Sequence, residues 1–527
     1  MSKAADMGKI SAKSSFHYLW GLVASTVISS IGTIFIASLL GDGNYGLYGI
    51  ALNVPSLIGL FRDWGITTAM TRCVAQYRVE GREAEIRSVI VSGFVFEIAL
   101  GTVLSLVTFA IAGVIADVYV RPEIAPLIQI AALTIFANGI VGAATAVFTG
   151  LERMELNSVM LIGQSVVKTG LIILLVSPMF MLGAYGAIVG YLIGALFAGV
   201  IGALLLLKLY AKLPKPETLK LEIKAYISAM LTYGIPLSLA GFLSSLLAYY
   251  YISLVPYFTS DNIVLGSYYV AMNFVVLIGF FATPITAMLF PAYSKLDPVK
   301  DHGAFQNVYK YSIKYASLLV VPVSVLVMSL AEPAVTALFH EKFSQAPLFL
   351  ALLAVTYIYT AAGSLSTGNL INSQGETKYN LKLSILTAAI GFPLGLVLIY
   401  LFGVFGVVAV SLTSGLPSLV ISLRWIEKKY ALHVDWVSSG KIVLCSAIAG
   451  VLTYLPVRML NISPWFELIV GVVVFVVSYV LVALVTRTVG RDDLNSFRTM
   501  FSGLGPLGKI IRLLLGLIEK IMSILRL

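Results

Sequence analysis

Apolar runs of about twenty residues or more, parted by short polar breaks, recur along nearly the whole chain. The hydrocarbon core of a bilayer takes about 20 helical residues to cross, so each run is long enough to span one. The runs lack the period-two alternation of a barrel strand. Backbone groups in lipid must also bond within their own segment, so the predicted elements are helices. The pattern predicts fourteen, at residues 16–40, 46–69, 88–116, 124–150, 158–176, 182–207, 228–256, 263–291, 311–339, 346–371, 381–401, 403–425, 441–457 and 464–486.

The pattern is doubled. The segment GLYGIALNVPSLIGLF returns 220 residues later as GSYYVAMNFVVLIGFF, so that Gly46, Tyr48, Ala51, Asn53 and Gly59 reappear as Gly266, Tyr268, Ala271, Asn273 and Gly279. The same offset joins Gly21 to Gly241 and Gly183 to Gly403. Several markers at one offset indicate an internal repeat. Each copy holds six predicted spans, an even number, so both enter and leave the membrane in the same sense. They are parallel repeats about an axis along the membrane normal, with the ligand site expected between the halves. The expected organisation is a six-helix lobe at 1–210, a cytoplasmic linker at 211–227 carrying Pro214 and Pro216, a second six-helix lobe at 228–430, two additional helices within 431–490, and a cytoplasmic tail at 491–527.

Composition agrees: 59% of the residues are hydrophobic and only 11% charged, with a mean hydropathy of +0.96. The basic residues carry the orientation. With the N-terminus in the cytoplasm, the inner connections hold Lys3, Lys9, Lys13, Arg72, Arg78, Arg82, Arg87 and most other lysines, whereas the opposite ones hold Arg121, Lys342 and Arg458. That asymmetry predicts a multi-pass plasma-membrane protein with both termini cytoplasmic. The net charge of +10 is then a topology signature with no nucleic-acid surface. The final stretch, GKIIRLLLGLIEKIMSILRL, is predicted to lie as an amphipathic helix on the inner leaflet.

The chemistry on offer argues against an enzyme. Four histidines are scattered, and no loop is long enough for a soluble catalytic domain. The two cysteines, Cys73 and Cys445, are too isolated for a metal site, and no GxxxxGK[ST] segment is present for ATP. No catalytic residue, metal or cofactor is expected.

Charge in the hydrocarbon region is costly and marks a cavity or a partner. Glu97 and Lys168 fall at equal depth near the midplane, which allows an ion pair between them; alternatively Lys168 holds a phosphate and Glu97 binds a coupling proton or cation. Arg62, beside Asp63, sits near an inner helix end, where it either snorkels to headgroups or receives an anionic one. Asn53 and Asn273 either bond between helices or meet sugar hydroxyls. Tyr249, Tyr250, Tyr251, Tyr257, Tyr268 and Tyr269 are read as an aromatic belt.

The stretch LLGDGNYGLYGIALNVPSLIGLFRDWGITTAMTRCVAQY, with its glycine turn, Tyr-Gly, and Asp-x-Gly followed by a basic residue, resembles the opening of the polysaccharide-biosynthesis (Wzx-like) flippases of the multidrug/oligosaccharidyl-lipid/polysaccharide exporter superfamily. The likeness extends over the doubled six-helix plan and the two extra helices. It implies a MATE-like, all-α polytopic fold. It further implies transfer of a lipid-linked sugar or oligosaccharide from the cytoplasmic to the outer leaflet, with membrane lipids and glycan-assembly enzymes as partners and H+ or Na+ as coupling ion. The alternative within the same superfamily is a cation-coupled exporter of drugs or other small molecules.

Overall fold

A computed structural model of the chain describes residues 3–214, 223–340, 342–460, 462–490 and 493–494, with positions 516 and 519. All its described elements are helical. They are α1 (Lys3–Asp63), α2 (Ile66–Val79), α3 (Glu83–Val118), α4 (Ala125–Gly150), α5 (Met154–Val176), α6 (Gly183–Lys212), α7 (Ile223–Phe258), α8 (Asn262–Ser294) and α9 (His302–Ser329). There follow α10 (Ala331–Phe339), α11 (Ala346–Ala354), a 3-10 turn (Val355–Ala362), α12 (Ser364–Ser373), α13 (Thr377–Phe402), α14 (Val404–Thr413), α15 (Leu416–Tyr430), α16 (Trp436–Leu460) and α17 (Pro464–Val485). Part of the expected linker, 215–222, and nearly all of the expected amphipathic tail segment lie outside the described residues.

Among the described residues, twelve helices are long and apolar enough to cross a membrane, and a pair bent by 54°, Ala346–Ala362 with Ser364–Ser373, adds a thirteenth if it counts as one span. The fourteen expected helices differ from this count at the start of the chain, because the first two run together in α1. Only Gly41, at φ 73° and ψ 174°, leaves the helical conformation there, a geometry open to glycine because it lacks a Cβ. The expected second helix also stops early. Trp64 and Gly65 both take positive φ, and the chain restarts as α2, so Arg72 and Arg78 stand on a helix instead of in a loop. Arg78 then bonds the Leu151 carbonyl at 2.8 Å, and the Arg72 guanidinium lies 4.0 Å from the centre of the Tyr233 ring.

The chain forms two compact units. The first comprises 1–273 and 381–410, the second 274–380 and 411–527. In the first, Ile66, Met70, Val74, Ile86, Ile90 and Phe148 form a buried cluster joining α2, α3 and α4. Small residues set the helix spacing: a Cβ on Gly190 would come 2.8 Å from the Ile172 backbone nitrogen, and one on Gly194 would come 2.9 Å from the Lys168 Cα. Without a hydrophobic drive between helices in lipid, such backbone approach supplies the packing.

Just past the Gly41 break in α1, two glycines matched by the offset lie against one another's helices. A Cβ on Gly46 would strike the carbonyl oxygen of Asn262, and one on Gly266 would strike that of Asp42. Asp42 and Asn262 are themselves separated by the repeat offset, so the contact is reciprocal. Arg121 closes the same region. Its buried guanidinium donates to the Pro256 and Thr259 carbonyls at 2.7 Å each, to the Asn262 side-chain oxygen at 2.7 Å and to the Tyr119 carbonyl at 3.0 Å. It thus caps the last turn of α7 from a neighbouring segment.

In the second unit, Ile278, Ala282, Val320 and Ala354 form one buried cluster, and Leu318, Val321, Ala361 and Ile442 another. Ser317, the offset equivalent of Glu97, is buried and donates to the Ile313 carbonyl at 2.6 Å and the Thr360 carbonyl at 3.2 Å. Lys314 pairs with Asp493 at 2.7 Å, fastening the segment after α17 onto α9.

Candidate functional site

The site grows from the last turn of α1. Arg62 turns into the first unit and donates from Nη1 to Oε2 of Glu97. Glu97 lies fourteen residues into α3, about 21 Å along its axis. Its side chain is 0% exposed against 14% for Arg62. Of the alternatives for Glu97 and Lys168, the ion pair between them is therefore not formed, and Arg62 does not snorkel: a buried carboxylate needs a cation, and the arginine is the one that reaches it. Asp63 is already committed, because its carboxylate accepts the Thr67 N–H at 2.9 Å and the Thr67 hydroxyl at 2.7 Å, capping α2.

Glycines make the space for the arginine. A Cβ on Gly142 would lie 3.3 Å from Nη1, one on Gly139 would lie 3.5 Å from Cδ, and one on Gly101 would lie 3.6 Å from Cδ. The guanidinium thus rests in a trough on α4, with α3 beside it. Glu97 retains an acceptor, because Oε1 is buried without a hydrogen-bond partner.

Two cavities adjoin Arg62, both inside the first unit. The larger, of about 470 Å3, runs between the end of α1 and the early part of α7, and is lined by Arg62, Asp63, Trp64, Ser238, Phe242 and Ser245 among others. Trp64 and Phe242 stack there with ring centres 5.9 Å apart. The smaller, of about 250 Å3, is lined by Pro55, Ser56, Arg62, Thr134, Asn138, Tyr191 and Tyr249, with Leu52, Gly59, Leu60 and Ile135. Gly59, Leu60 and Arg62 border both.

Lys168 stands one residue back. Its ammonium bonds the Ser29 hydroxyl at 3.2 Å and sits 5.7 Å from the centre of the Tyr191 ring, with no carboxylate partner among the described residues. Asn53 is buried and donates to the Ser253 hydroxyl at 2.8 Å, while Asn273 donates to the Tyr45 hydroxyl at 3.0 Å and the Tyr269 carbonyl at 2.9 Å. Neither asparagine borders the two cavities. The structure thus gathers Arg62 and Glu97, places Lys168 behind a cavity wall, and sets Asn53 and Asn273 in helix contacts. Of the tyrosines read as a belt, Tyr257 is exposed as a belt needs, whereas Tyr251, Tyr268 and Tyr269 are buried and Tyr249 faces the smaller cavity. Asn138, Tyr191 and the glycine trough were not among the sequence candidates; the clustering of Asn138 with Gly139 and Gly142 was their one signal.

Known proteins give these observations a context. The fold is similar to a lipid II flippase MurJ in an inward closed conformation, with a TM-score of 0.68 at 14% identity over 89% of this chain and 98% of that one. It is also similar to an inward-facing multidrug resistance MATE family transporter of the MOP superfamily, with a TM-score of 0.60 at 16% identity over 77% and 94%. In sequence, the chain is 23% identical to an uncharacterized membrane protein, MJ1068, of Methanocaldococcus jannaschii over 85% of this chain and 89% of that protein. It is 24% identical to the lipopolysaccharide biosynthesis protein WzxC of Escherichia coli over 71% and 73%. The family model described as polysaccharide biosynthesis protein matches residues 35–348, more than half of the chain. With its MATE- and MurJ-like helical fold, this multi-pass membrane protein therefore belongs to the polysaccharide biosynthesis protein family.

Proposed function

We propose that the protein is a flippase that carries a lipid-linked sugar or oligosaccharide from the cytoplasmic to the outer leaflet by alternating access, in the synthesis of polysaccharide or glycoprotein glycans. The observation that carries the reading is Arg62, held in the first unit between two cavities and paired with Glu97. Arginine presents a planar fork of donors that matches a phosphate. A pyrophosphate entering the larger cavity takes over donors now given to Glu97, and the carboxylate so released has a free oxygen to take up a proton or cation. Lys168 adds positive charge nearby, and Asn53 and Asn273 hold α1, α7 and α8 in the geometry that frames the site.

On this reading the chain spans the membrane fourteen times. The break at Gly41 divides the 44 residues of Trp20–Asp63, about 66 Å of helix, into two crossings of a hydrocarbon core about 30 Å thick, and the bent pair makes one more. The repeats are parallel, which the reciprocal contact of Gly46 and Gly266 supports, and both termini lie in the cytoplasm, which the distribution of lysine and arginine supports.

A second reading, a cation-coupled exporter of drugs or other small molecules, is favoured by one observation, the unpartnered Oε1 of Glu97. Reconstitution separates the two. Vesicles holding the purified protein are expected to move a fluorescent polyprenyl-pyrophosphoryl sugar between leaflets, and Arg62→Gln is expected to abolish that movement. Vesicles that instead extrude cationic dyes against a proton or sodium gradient, and leave the sugar lipid in place, would establish the exporter.

A further inference from the structure

Several basic residues near helix ends are committed within the protein: Arg78 to Glu152, Arg82 to Glu80 and Glu85, and Lys314 to Asp493. Lys378, at the start of α13, and Arg424 and Lys428, in the last turns of α15, are different. All three are exposed, and none has a carboxylate partner among the described residues. The acids nearest them in sequence are already taken, since Glu376 pairs with Lys429 and Glu427 lies 3.3 Å from His433. Three positive charges are left without a counter-charge.

An aromatic stack brings them to one place. Tyr379 and Trp425 lie face to face, with ring centres 4.2 Å apart and planes 15° from parallel. The first turn of α13 therefore rests against α15, and Lys378 and Arg424 are the sequence neighbours of the two rings. Tyr430 meets Trp425 edge-on at 5.7 Å, and the Lys429 ammonium lies 4.7 Å from the centre of a Trp425 ring. Tryptophan and tyrosine gather where hydrocarbon gives way to headgroups, since each joins an apolar body to a polar tip. The exposed face of α15 marks the same level. Val420 and Ile421 are 45% and 42% exposed, and Arg424 and Lys428 follow them at the three- and four-residue spacing that keeps side chains on one helix face. Along that face, apolar surface passes into positive charge within about two turns.

An apolar stripe ending in unpaired cations is the complement of an anionic phospholipid, with acyl chains at one end and a charged phosphate at the other. We propose that Lys378, Arg424 and Lys428 form a binding site for the headgroup of such a lipid, with its phosphate at Arg424 and its chains along Val420 and Ile421. Arginine suits the phosphate because its planar fork of donors meets two oxygens at once, and the flanking lysines add the attraction that basic side chains exert on an anionic membrane surface. A zwitterionic lipid offers the same phosphate but brings its own cation, so the patch tells the two apart by net charge. By the sidedness proposed above, the site faces the cytoplasmic leaflet. It does not depend on what the protein carries, since all three residues belong to the second unit and none lines the cavities beside Arg62.

The test follows the thermal transition of the purified full chain in detergent with added phosphatidylglycerol or phosphatidylcholine. Phosphatidylglycerol is expected to raise the wild-type transition by several degrees more than phosphatidylcholine does. The variant Lys378→Gln/Arg424→Gln/Lys428→Gln is expected to remove that difference, while its transition without lipid stays within about 2 °C of wild type because the three side chains are exposed. Arg424→Gln alone, should the triple variant fold poorly, is expected to lose at least half of the difference. Lys208→Gln/Lys212→Gln, which removes two exposed lysines of α6, is expected to keep it. A wild type stabilised equally by both lipids, a triple variant that retains the difference, or an equal loss in the α6 variant, which would make the effect one of overall charge, would each overturn the site. So would inorganic phosphate that reproduces the whole increment, since the occupant would then be a soluble anion.

Discussion

At the residue scale, the Arg62–Glu97 pair divides stability from function. Breaking a buried pair by neutralising one partner strands the other charge, at a cost of about 3–5 kcal/mol. Glu97→Ala and Arg62→Ala are therefore each expected to unfold at markedly lower temperature in detergent. The double variant Arg62→Gln/Glu97→Gln is expected to recover most of the loss, yet to remain inactive in sugar-lipid flipping; a fully active double variant would make the pair purely structural. Lys168 differs because no carboxylate balances it among the described residues, so it carries a cost the fold does not need. Lys168→Met, which replaces a buried charge held only by the Ser29 hydroxyl and the Tyr191 ring, is expected to raise thermal stability by about 1–3 kcal/mol, while slowing transport. Loss of stability in that variant would show the lysine to be a packing element. The sequence revealed all three of these charges, since an ionisable residue in an apolar run is conspicuous. It did not reveal which partner each takes, because axial depth is readable from a helix start and azimuth around a packed helix is not. Glu97 and Lys168 each stand fourteen residues beyond the start of their helices, and still do not pair.

At the element scale, glycine and arginine set how helices end and meet. Arg121 satisfies carbonyls at the close of α7 that have no partner of their own. Hydrogen bonds from a charged donor are worth about 1.5–3 kcal/mol each. Arg121→Ala is expected to destabilise the protein by at least one such increment, read as an earlier thermal transition, and Arg121→Lys to recover only part, since an ammonium cannot reproduce the fork spread over α7 and α8. In the sequence Arg121 was one of few basic residues in the expected outer connections, informative about topology alone. Its burial follows from the fold that brings 119–121 against 253–262. The early stop of the second helix has a similar origin. Apolar periodicity runs unbroken through Trp64 and Gly65, and only the backbone shows both at positive φ, restarting the chain as α2 and pointing Arg62 inward.

At the scale of the whole molecule, the doubled sequence and the charge asymmetry make a prediction about sidedness. Reporters fused to the two ends of the chain are expected both to respond in the cytoplasm, and a cysteine introduced beside Arg458 is expected to react with a membrane-impermeant thiol reagent added from outside. Labelling from the cytoplasmic side alone would reverse the topology and with it the direction of flipping. The repeat also has a structural counterpart, since Gly46 and Gly266, matched by offset, press on Asn262 and Asp42, matched by the same offset. A bulky residue at either glycine, such as Gly46→Leu or Gly266→Leu, is expected to be harmful to a similar degree, as the two face equivalent backbone.

The sequence by itself determined the solvent this chain folds in, its helical character and its family, because those properties are carried by hydrophobicity, period and spacing, which are local and additive. The tertiary structure alone decided that Arg62 meets Glu97, that Asn138 and two tyrosines share a cavity, and that Arg121 is buried. Each of these depends on the rotation of one helix against another, and in a chain apolar on nearly every face that rotation is set by where small residues allow backbones to touch.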